Sequence, residues 1–203
     1  MTSAAILSGG HARRLGGQDK RGLLVGGRTI LARQLEALRP CVGRIFVVGG
    51  VRSPSDEWLG DVPVHGVADR VAERGPLGGL DAALAAAGDD AVLLLACDLP
   101  YVTTALLSHL IRVCDGVDAA VPRTERGYHP LCAVYAQSCA TAVRHRLEHG
   151  LLRMRDLLGD LRVRTVEFEE LTPFGAPERL LANINTYADL DALASLSHST
   201  TVG

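Results

Sequence analysis

Residues 4–20 read AAILSGGHARRLGGQDK, an apolar run that leads into a glycine-rich, basic loop. The run Ala4–Leu7 predicts a buried strand, and the loop begins at Ser8. Glycines at four positions of the loop allow the backbone to approach an anion closely and to turn its N–H groups inward. The spacing matches neither a Walker A motif nor a G-x-G-x-x-G fingerprint. The segment therefore indicates either a phosphate site or a surface loop with solvated arginines.

Strand-like and helix-like segments alternate along the rest of the chain. Apolar runs predict strands at 45–48, 62–64, 91–97, 119–121 and 131–135. Helical spacing predicts helices at 30–38, 77–87, 139–148 and 188–196, and one that begins at Thr103 or Thr104 and reaches Ile111. The run at 91–97 is apolar on both faces, which is typical of the centre of a parallel sheet. We expect an α/β fold with a mostly parallel sheet and helices on both faces.

Composition narrows the class of protein. The chain has 203 residues, 47% of them hydrophobic and 22% charged, with a net charge of −2. This balance excludes disorder and predicts a single domain over residues 1–196 with a flexible tail at 197–203. Apolar runs are far shorter than the ~20 residues of a membrane span, and no signal-peptide pattern precedes them. We expect a cytoplasmic protein with no membrane or nucleic-acid partner, because its basic residues form no block.

Cysteine and lysine usage is uneven. The five cysteines are odd in number and never spaced CxxC, so we expect reduced, mostly buried thiols instead of a zinc site or a disulfide framework. Lys20 is the single lysine among 21 basic residues and lies in the glycine-rich loop. Because a compact ammonium differs from a planar guanidinium, Lys20 is a candidate phosphate contact. Codon usage and chance placement are the alternative explanation.

Taken whole, residues 7–20 resemble the LxGGxxxRxG…DK signature of the nucleotidyltransferases of the molybdenum cofactor guanylyltransferase (MobA) family. Further motifs follow in the family's order: a hairpin at 22–28, GPLGGL at 75–80, ACDLPY at 96–101, HP at 129–130 and NINT at 183–186. The matches extend from residue 4 to about residue 194. The resemblance implies a three-layer, Rossmann-like nucleotidyltransferase fold. It also implies that the N-terminal half binds the nucleotide and the C-terminal half binds the acceptor.

The resemblance implies a reaction in which GMP passes from Mg·GTP to molybdopterin or the molybdenum cofactor, with release of pyrophosphate. It implies Mg²⁺ as the cofactor, GTP and molybdopterin as substrates, and transient contact with molybdoenzyme maturation proteins. Two alternatives keep the chemistry: a CTP-dependent molybdopterin cytidylyltransferase, or a guanylyltransferase for another phosphorylated acceptor. Two further alternatives have a different function: a non-catalytic, nucleotide-binding cofactor carrier, or an NAD-dependent dehydrogenase. The absence of a G-x-G-x-x-G fingerprint argues against the dehydrogenase.

Site residues follow from the matched motifs. The resemblance implies catalytic roles for Lys20, Arg14 and Asp98, and Mg²⁺ binding by Asp98 and Asn185. It implies nucleotide binding by Leu7, Ser8, Gly9, Gly10, Lys20, Asp69, Gly78 and Asp98. It implies acceptor binding by Arg153, Arg155 and Asn183. A lone carboxylate after a central strand suits Mg²⁺, which keeps several waters and phosphate oxygens as ligands. The alternative for Asp98 is a turn or helix-cap residue.

Two positions, Asp69 and Gly49, bear on which base the nucleotide carries. The resemblance implies that Asp69 accepts hydrogen bonds from guanine, and its alternative is a surface ion pair with Arg70. Gly49 stands where the family has Asn, which weakens the prediction for guanine. The Gly78-Gly79 pair allows close packing either of the nucleotide or of the helix itself. Arg144 and Arg146 are expected on a solvated helix face.

Overall fold

The computed structural model describes residues 1–8, 24–49, 57–59, 61–71, 73–184 and 189. Its strands are β1 (Thr2–Leu7), β2 (Leu24–Val25), β3 (Arg28–Thr29), β4 (Arg44–Val48), β5 (Glu57–Leu59), β6 (Val62–Val67), β7 (Ala91–Ala96), β8 (Ala119–Thr124), β9 (Gly127–Tyr128), β10 (Cys132–Tyr135) and β11 (Val163–Val166). Its helices are α1 (Ile30–Leu38), α2 (Gly75–Ala87), α3 (Thr104–Val113), α4 (Ala140–Glu148), α5 (Met154–Leu157), α6 (Phe168–Leu171) and α7 (Pro177–Leu180).

The central sheet has the strand order β11-β8-β10-β7-β1-β4-β6-β5, with β9 paired to the end of β8. The core strands β7, β1, β4 and β6 run parallel, whereas β10 is antiparallel to both β7 and β8. The strands β1 and β7 pair over six residues, from Thr2 opposite Ala91 to Leu7 opposite Ala96. These two strands lie at the centre of the sheet, as their two-sided apolar sequences predict.

Helices cover the sheet on both faces. One apolar cluster joins a face of the sheet to α1 and α3, and includes Leu38, Leu106 and Leu110. The other joins the opposite face to α2, α4 and α5, and includes Leu80 and Val143. The sequence therefore folds into the three-layer, mostly parallel α/β architecture that its alternating pattern predicts.

Local sequence signals explain where the helices begin and end. Thr29 accepts a hydrogen bond from the Ala32 N–H at 3.2 Å and starts α1, and Thr103 does the same for α3 through the Leu106 N–H at 3.3 Å. The helix α2 ends at Gly88, whose φ of 68° suits glycine. The choice between Thr103 and Thr104 as the cap thus falls on Thr103.

Several sequence predictions differ from the structure. Strands β5, β9 and β11 and the short helices α5, α6 and α7 were not predicted, because two to four residues carry too little periodicity. Arg146 is not solvated: its guanidinium binds the Asp160 carboxylate and the Asp156 carbonyl, and only 11% of its side chain is exposed. The predicted helix at 188–196 and the tail at 197–203 lie outside the described ranges except for residue 189.

The cysteines form no disulfide with one another, and three of the five are buried. Burial raises the pKa of both Cys132 and Cys139 to about 12. These thiols therefore stay protonated at neutral pH and are poor nucleophiles. Within the described residues, no helix is long and apolar enough to cross a membrane.

Asp118 joins the segments that precede β8 and β11 and follow β10, and it gives a test of stability at this end of the sheet. Its carboxylate accepts hydrogen bonds from the Arg162 backbone N–H at 2.8 Å and from the Ser138 hydroxyl at 2.7 Å. The Arg162 guanidinium also binds it, and these contacts hold the pKa of Asp118 well below its ordinary value.

We expect Asp118→Asn to lower the free energy of unfolding by about 1–2 kcal/mol at pH 7, since it weakens charge-assisted hydrogen bonds to a side chain that is 15% exposed. The exposed guanidinium adds little of this. Because the folded pKa is lowered, the contribution is full above the unfolded pKa of about 4 and is lost as the pH falls further. Urea unfolding between pH 2 and pH 8 measures the difference, with Asp115→Asn as the exposed control. A difference between Asp118→Asn and wild type that does not change with pH would contradict this account.

Candidate functional site

The order of the strands in the sheet reverses at β1: the strands β4 and β6 are added on one side of it and β7 on the other. From β1 the chain moves through α1 to β4 and on to β6, and α2 then returns it across β1 to β7 on the other side. The carboxyl ends of β1 and β7 therefore meet at a topological switch point. Open α/β sheets bind their ligands in the crevice at such a point.

Asp98 lies in the turn that follows β7 at this switch point. The Cys97 N–H donates to the Leu7 carbonyl at 3.2 Å, which joins the start of the turn to the end of β1. The Oδ1 atom of Asp98 is shielded from solvent. The Asp98 carbonyl accepts from the Ile184 N–H at 2.8 Å. The Asp98 turn and Ile184, the second residue of the NINT motif, are thus in direct contact.

Ile184 is itself fixed by a small apolar cluster. It is 1% exposed and packs with Val25 of the β2–β3 hairpin, Ile30 and Tyr101. Asn183, a predicted acceptor residue, is exposed beside it. The hairpin predicted at 22–28 is present as β2–β3, with Gly26 and Gly27 in its turn at φ of 59° and 78°.

Leu7 is the last residue of β1, and Ser8 follows it next to the Asp98 turn. The Ser8 N–H and hydroxyl both donate to the Val48 carbonyl, at 2.9 and 3.1 Å. This pair of bonds fixes the direction in which the chain leaves the sheet. The predicted phosphate and nucleotide residues Gly9, Gly10, Arg14 and Lys20, and the predicted metal ligand Asn185, lie outside the described residues.

Asp69 follows β6 at the same edge of the sheet and is exposed. Three strand spacings separate β6 from β7, which is about 14 Å. The alternative for Asp69, a surface ion pair with Arg70, is wrong. Arg70 instead donates to both carboxylate oxygens of Asp81 on α2, at 3.4 and 3.2 Å. The Asp81 side chain is 8% exposed and the Arg70 side chain 52%. This pair holds the segment that carries Asp69 against α2.

Gly78 and Gly79 are buried in the first turns of α2. A Cβ at Gly79 would lie 2.6 Å from the Leu7 side chain, and a Cβ at Gly78 would lie 2.8 Å from Arg74 Cβ. Both glycines therefore permit close packing between parts of the protein itself: Gly79 against Leu7 and Gly78 against Arg74. Gly79 allows α2 to pack directly on the end of β1.

Gly49 explains one departure from the family pattern. Its φ is 77°, and its N–H donates to the Val67 carbonyl at 3.1 Å. Glycine adopts this left-handed conformation without strain, and Asn adopts it more readily than most residues. The exchange of Asn for glycine therefore preserves the backbone and removes only a side chain.

A basic group, formed by His129, Arg126 and Arg155, lies on the other side of the Asp98 turn. The strand β10 is antiparallel to β7, so its first residues lie at the carboxyl end of β7, where the Ala96 N–H donates to the Leu131 carbonyl at 2.8 Å. His129 precedes this strand, and its Nε2 lies 2.9 Å from the Thr124 hydroxyl. Burial lowers the pKa of His129, and the guanidinium groups of Arg155 and Arg126 lower it further.

Arg155 donates to the carbonyl of Arg126 in the β8–β9 turn at 3.2 Å and lies against Gly127, the first residue of β9. Arg153 is exposed and starts α5 in the same region. The predicted acceptor residues Arg153 and Arg155 thus lie at the start of α5, beside the β8–β9 turn of the C-terminal half. Arg126 was not predicted from the sequence, although a basic residue in a turn just before the HP motif was a signal for it.

The donor chemistry at this edge suits a hard cation. Asp98 places a carboxylate with a shielded oxygen at this edge, and the next residue after Ile184 in the chain is Asn185. In the part of the chain that the structure describes, no three His, Cys, Asp or Glu residues cluster as a complete metal cage. Mg²⁺ binds through one or two carboxylates plus waters and phosphate oxygens, so the residues present fit it.

The fold is that of an open, mostly parallel α/β sheet, in which the β1–β7 switch point is the expected ligand site. The model of the MobA-like NTP transferase domain matches residues 4–166. A probable molybdenum cofactor guanylyltransferase of Pelotomaculum thermopropionicum is 33% identical over 93% of this chain and 89% of its own. The molybdenum cofactor guanylyltransferase of Desulfosudis oleivorans is 32% identical over 92% of this chain and 91% of its own.

A solved structure, molybdopterin-guanine dinucleotide biosynthesis protein A from Archaeoglobus fulgidus, has the same fold. It has a TM-score of 0.75 and 24% identity, over 98% of this chain and 100% of its own. The chain belongs to the MobA-like NTP transferase family and is an enzyme of the nucleotidyltransferase class. This membership excludes the dehydrogenase and disfavours the non-catalytic carrier.

The contact between Gly79 and Leu7 gives a test of the site's frame. We expect Gly79→Val to lower the free energy of unfolding by about 1–3 kcal/mol, because the new side chain must displace Leu7 in a packed layer. Gly159→Val is the control: a Cβ there meets no atom within 4 Å, so the change stays within about 0.5 kcal/mol. Thermal or urea unfolding measures both, and equal stabilities of the two variants would contradict the packing role.

Proposed function

We propose that the protein transfers GMP from GTP to molybdopterin or its molybdenum-bearing form, with Mg²⁺, and releases pyrophosphate. The observation that carries this proposal is the arrangement along one sheet edge. Asp98 lies at the switch point, Asp69 lies on the N-terminal side of it, and the basic group around His129 lies on the C-terminal side. The names of the relatives that align over nine-tenths of the chain support the same reaction.

The nucleotide is assigned to the side of β1, β4 and β6. The backbone at Leu7 and Ser8 leads into the glycine-rich loop, where Lys20 and Arg14 would contact the triphosphate, as the resemblance implies. A carboxylate at Asp69 would accept hydrogen bonds from the N–H groups on the Watson–Crick edge of guanine. The roughly 14 Å between the lines of β6 and β7 is a distance that an extended nucleoside triphosphate spans.

Asp98, together with Asn185, would hold the Mg²⁺ ion. When bound, Mg²⁺ neutralises charge on the phosphate oxygens and orients them. The chain's own contribution is to hold Asp98 firmly: the backbone on either side of it is hydrogen-bonded to Leu7 and Ile184. A carboxylate held in this way needs little rearrangement when the substrate binds.

The acceptor is assigned to the side of β10 and β8. Guanidinium groups bind phosphate with paired hydrogen bonds, so Arg155, Arg126 and Arg153 would attract the terminal phosphate of the pterin. Burial and the neighbouring arginines keep His129 neutral at pH 7, so it would add a hydrogen bond and no charge. Asn183, exposed beside the Asp98 turn, would contact the acceptor from the opposite side.

The reaction then requires positioning more than acid–base chemistry. An oxygen of the acceptor phosphate attacks the α-phosphorus, a new P–O bond forms, and the bond to the β-phosphate oxygen breaks. Pyrophosphate carries away the bonding electrons, and Lys20 and Arg14 would stabilise the charge that develops on it. Binding the two substrates on opposite sides of Asp98 places the attacking oxygen in line.

A cytidylyltransferase of the same pterin is the second candidate. Gly49 favours it, because this position offers no side chain to a base. The exposed carboxylate of Asp69 favours guanine, since cytosine presents a different pattern of donors and acceptors at that edge. Asp69 decides in favour of GTP in this proposal.

We expect Asp98→Asn to lower the rate of GMP transfer to molybdopterin by about 100-fold or more, because a neutral amide binds Mg²⁺ weakly and stabilises less phosphate charge. The rate of pyrophosphate release from GTP in the presence of molybdopterin measures it. Asp89→Asn, at an exposed position after α2, is the matched control and keeps the wild-type rate. Wild-type turnover by Asp98→Asn would defeat the metal assignment.

A further inference from the structure

Gln34 is a fully buried polar residue on the core face of α1. Its side chain is 0% exposed, in a helix whose other buried residues are Ile30, Ala37 and Leu38. Its position four residues after Ile30 and four before Leu38 lies on the apolar stripe of the helix. Burial of an amide among aliphatic side chains costs stability unless its polar atoms are satisfied.

The Gln34 amide bridges the turn that carries Asp98. Its Nε2 donates to the Ala96 carbonyl at 2.7 Å and to the Leu99 carbonyl at 3.1 Å. Both partners are acceptors, so the NH₂ group must face them and the orientation of the amide is fixed. The two bonds enclose Cys97 and Asp98 between them.

The other end of the amide gains nothing from this position. Its Oε1 is buried, and no hydrogen-bond donor among the described residues reaches it. An unsatisfied buried acceptor destabilises a fold, whereas Leu or Met at this position would leave no such atom. Core packing therefore does not explain the choice of glutamine, and the two bonds to the turn do.

Neighbouring groups complete the same arrangement. Arg33 donates through Nε to the Pro100 carbonyl at 2.9 Å, and Ile184 donates to the Asp98 carbonyl. Four carbonyls between residues 96 and 100 are thus held by donors from outside the turn. Gln34 alone holds the carbonyls on both sides of Asp98 from within the core.

We propose that Gln34 is a positioning residue that fixes the Asp98 turn and thereby sets the direction of its carboxylate. This inference rests on the proposed function, in which Asp98 binds Mg²⁺. Positions that orient a metal ligand from behind commonly change metal affinity or activity by about 10–100-fold when mutated. The substitution Gln34→Met removes both bonds and keeps the length and shape of the side chain.

The chain offers a matched control at the opposite end of β7. Gln137 also donates through Nε2 to two carbonyls, those of Leu84 at 2.8 Å and Asp90 at 3.1 Å. Asp90 immediately precedes β7, so Gln137→Met removes the same number and type of bonds far from Asp98. Effects that arise only from lost stability will therefore occur in both variants.

The first measurement is amide hydrogen exchange of the protein without ligands. In Gln34→Met we expect exchange of the backbone N–H groups of residues 97–99 and 101 to accelerate by about 10-fold relative to wild type, whereas Gln137→Met leaves these rates at their wild-type values. This measurement is independent of nucleotide, metal and activity. Unchanged exchange at 97–101 in Gln34→Met would overturn the inference.

The second measurement is the Mg²⁺ concentration that gives half-maximal GMP transfer. We expect it to rise by about 10-fold in Gln34→Met, with an unchanged KM for GTP at saturating Mg²⁺, and to stay at the wild-type value in Gln137→Met. Equal shifts in both variants would reduce Gln34 to a structural role and overturn the inference. If Asp98→Asn also turns over normally, the proposed Mg²⁺-binding role of Asp98 fails, and faster exchange at 97–101 still distinguishes that failure from a failure of the role given to Gln34.

Discussion

The pairing of β1 with β7 is the interaction on which the rest of the structure depends. These parallel strands exchange hydrogen bonds along their whole length and are almost completely buried by helices on both faces. Their side chains supply the centre of both apolar clusters. Because the strands are parallel and adjacent, the segments that follow Leu7 and Ala96 must emerge together at one edge.

Every proposed role is arranged around that edge. On one side, β4 and β6 bring Gly49 and Asp69 to it, and on the other side β10 and β8 bring His129 and the β8–β9 turn. An exposed carboxylate lies on the first side at Asp69, and guanidinium groups lie near His129 on the second side. An enzyme that joins two phosphate-bearing molecules needs such a division, since each substrate must be bound in its own place and both must meet at the metal.

Much of the fold could be predicted from the sequence, because the deciding segments are buried on both sides. The runs at 4–7, 45–48 and 91–97 and the helices α1 to α4 have strong apolar patterns, and the structure confirms them. The short strand β11 and the helices α5 to α7 could not be predicted, since their length is below one period of a reliable pattern. The hairpin β2–β3 was predicted through the resemblance and not through periodicity.

The site was predictable in its residue types and less so in its contacts. The motif at 96–101 identified Asp98. The hydrogen bonds that hold its turn could not be predicted, because Gln34 lies 62 positions from Ala96 and Ile184 lies 86 positions from Asp98 in the chain. The ion pair of Arg70 with Asp81 joins residues 11 positions apart and was also missed, although a lone charge in the apolar helix α2 was a signal for it. Pairing across the fold is set by topology, and spacing along the chain does not reveal it.

The most direct test of the guanylyltransferase account is a thermal-shift panel of GTP, CTP, ATP and UTP, each with and without Mg²⁺. A ligand at about 100 times its Kd adds about 2.7 kcal/mol to the free energy of unfolding, which raises the Tm of a domain of this size by roughly 5–10 °C. The account predicts this shift for GTP and its dependence on Mg²⁺, with small shifts for the other three nucleotides. A Mg²⁺-dependent shift with CTP and none with GTP would contradict the role given to Asp69 and the identification of GTP as the donor.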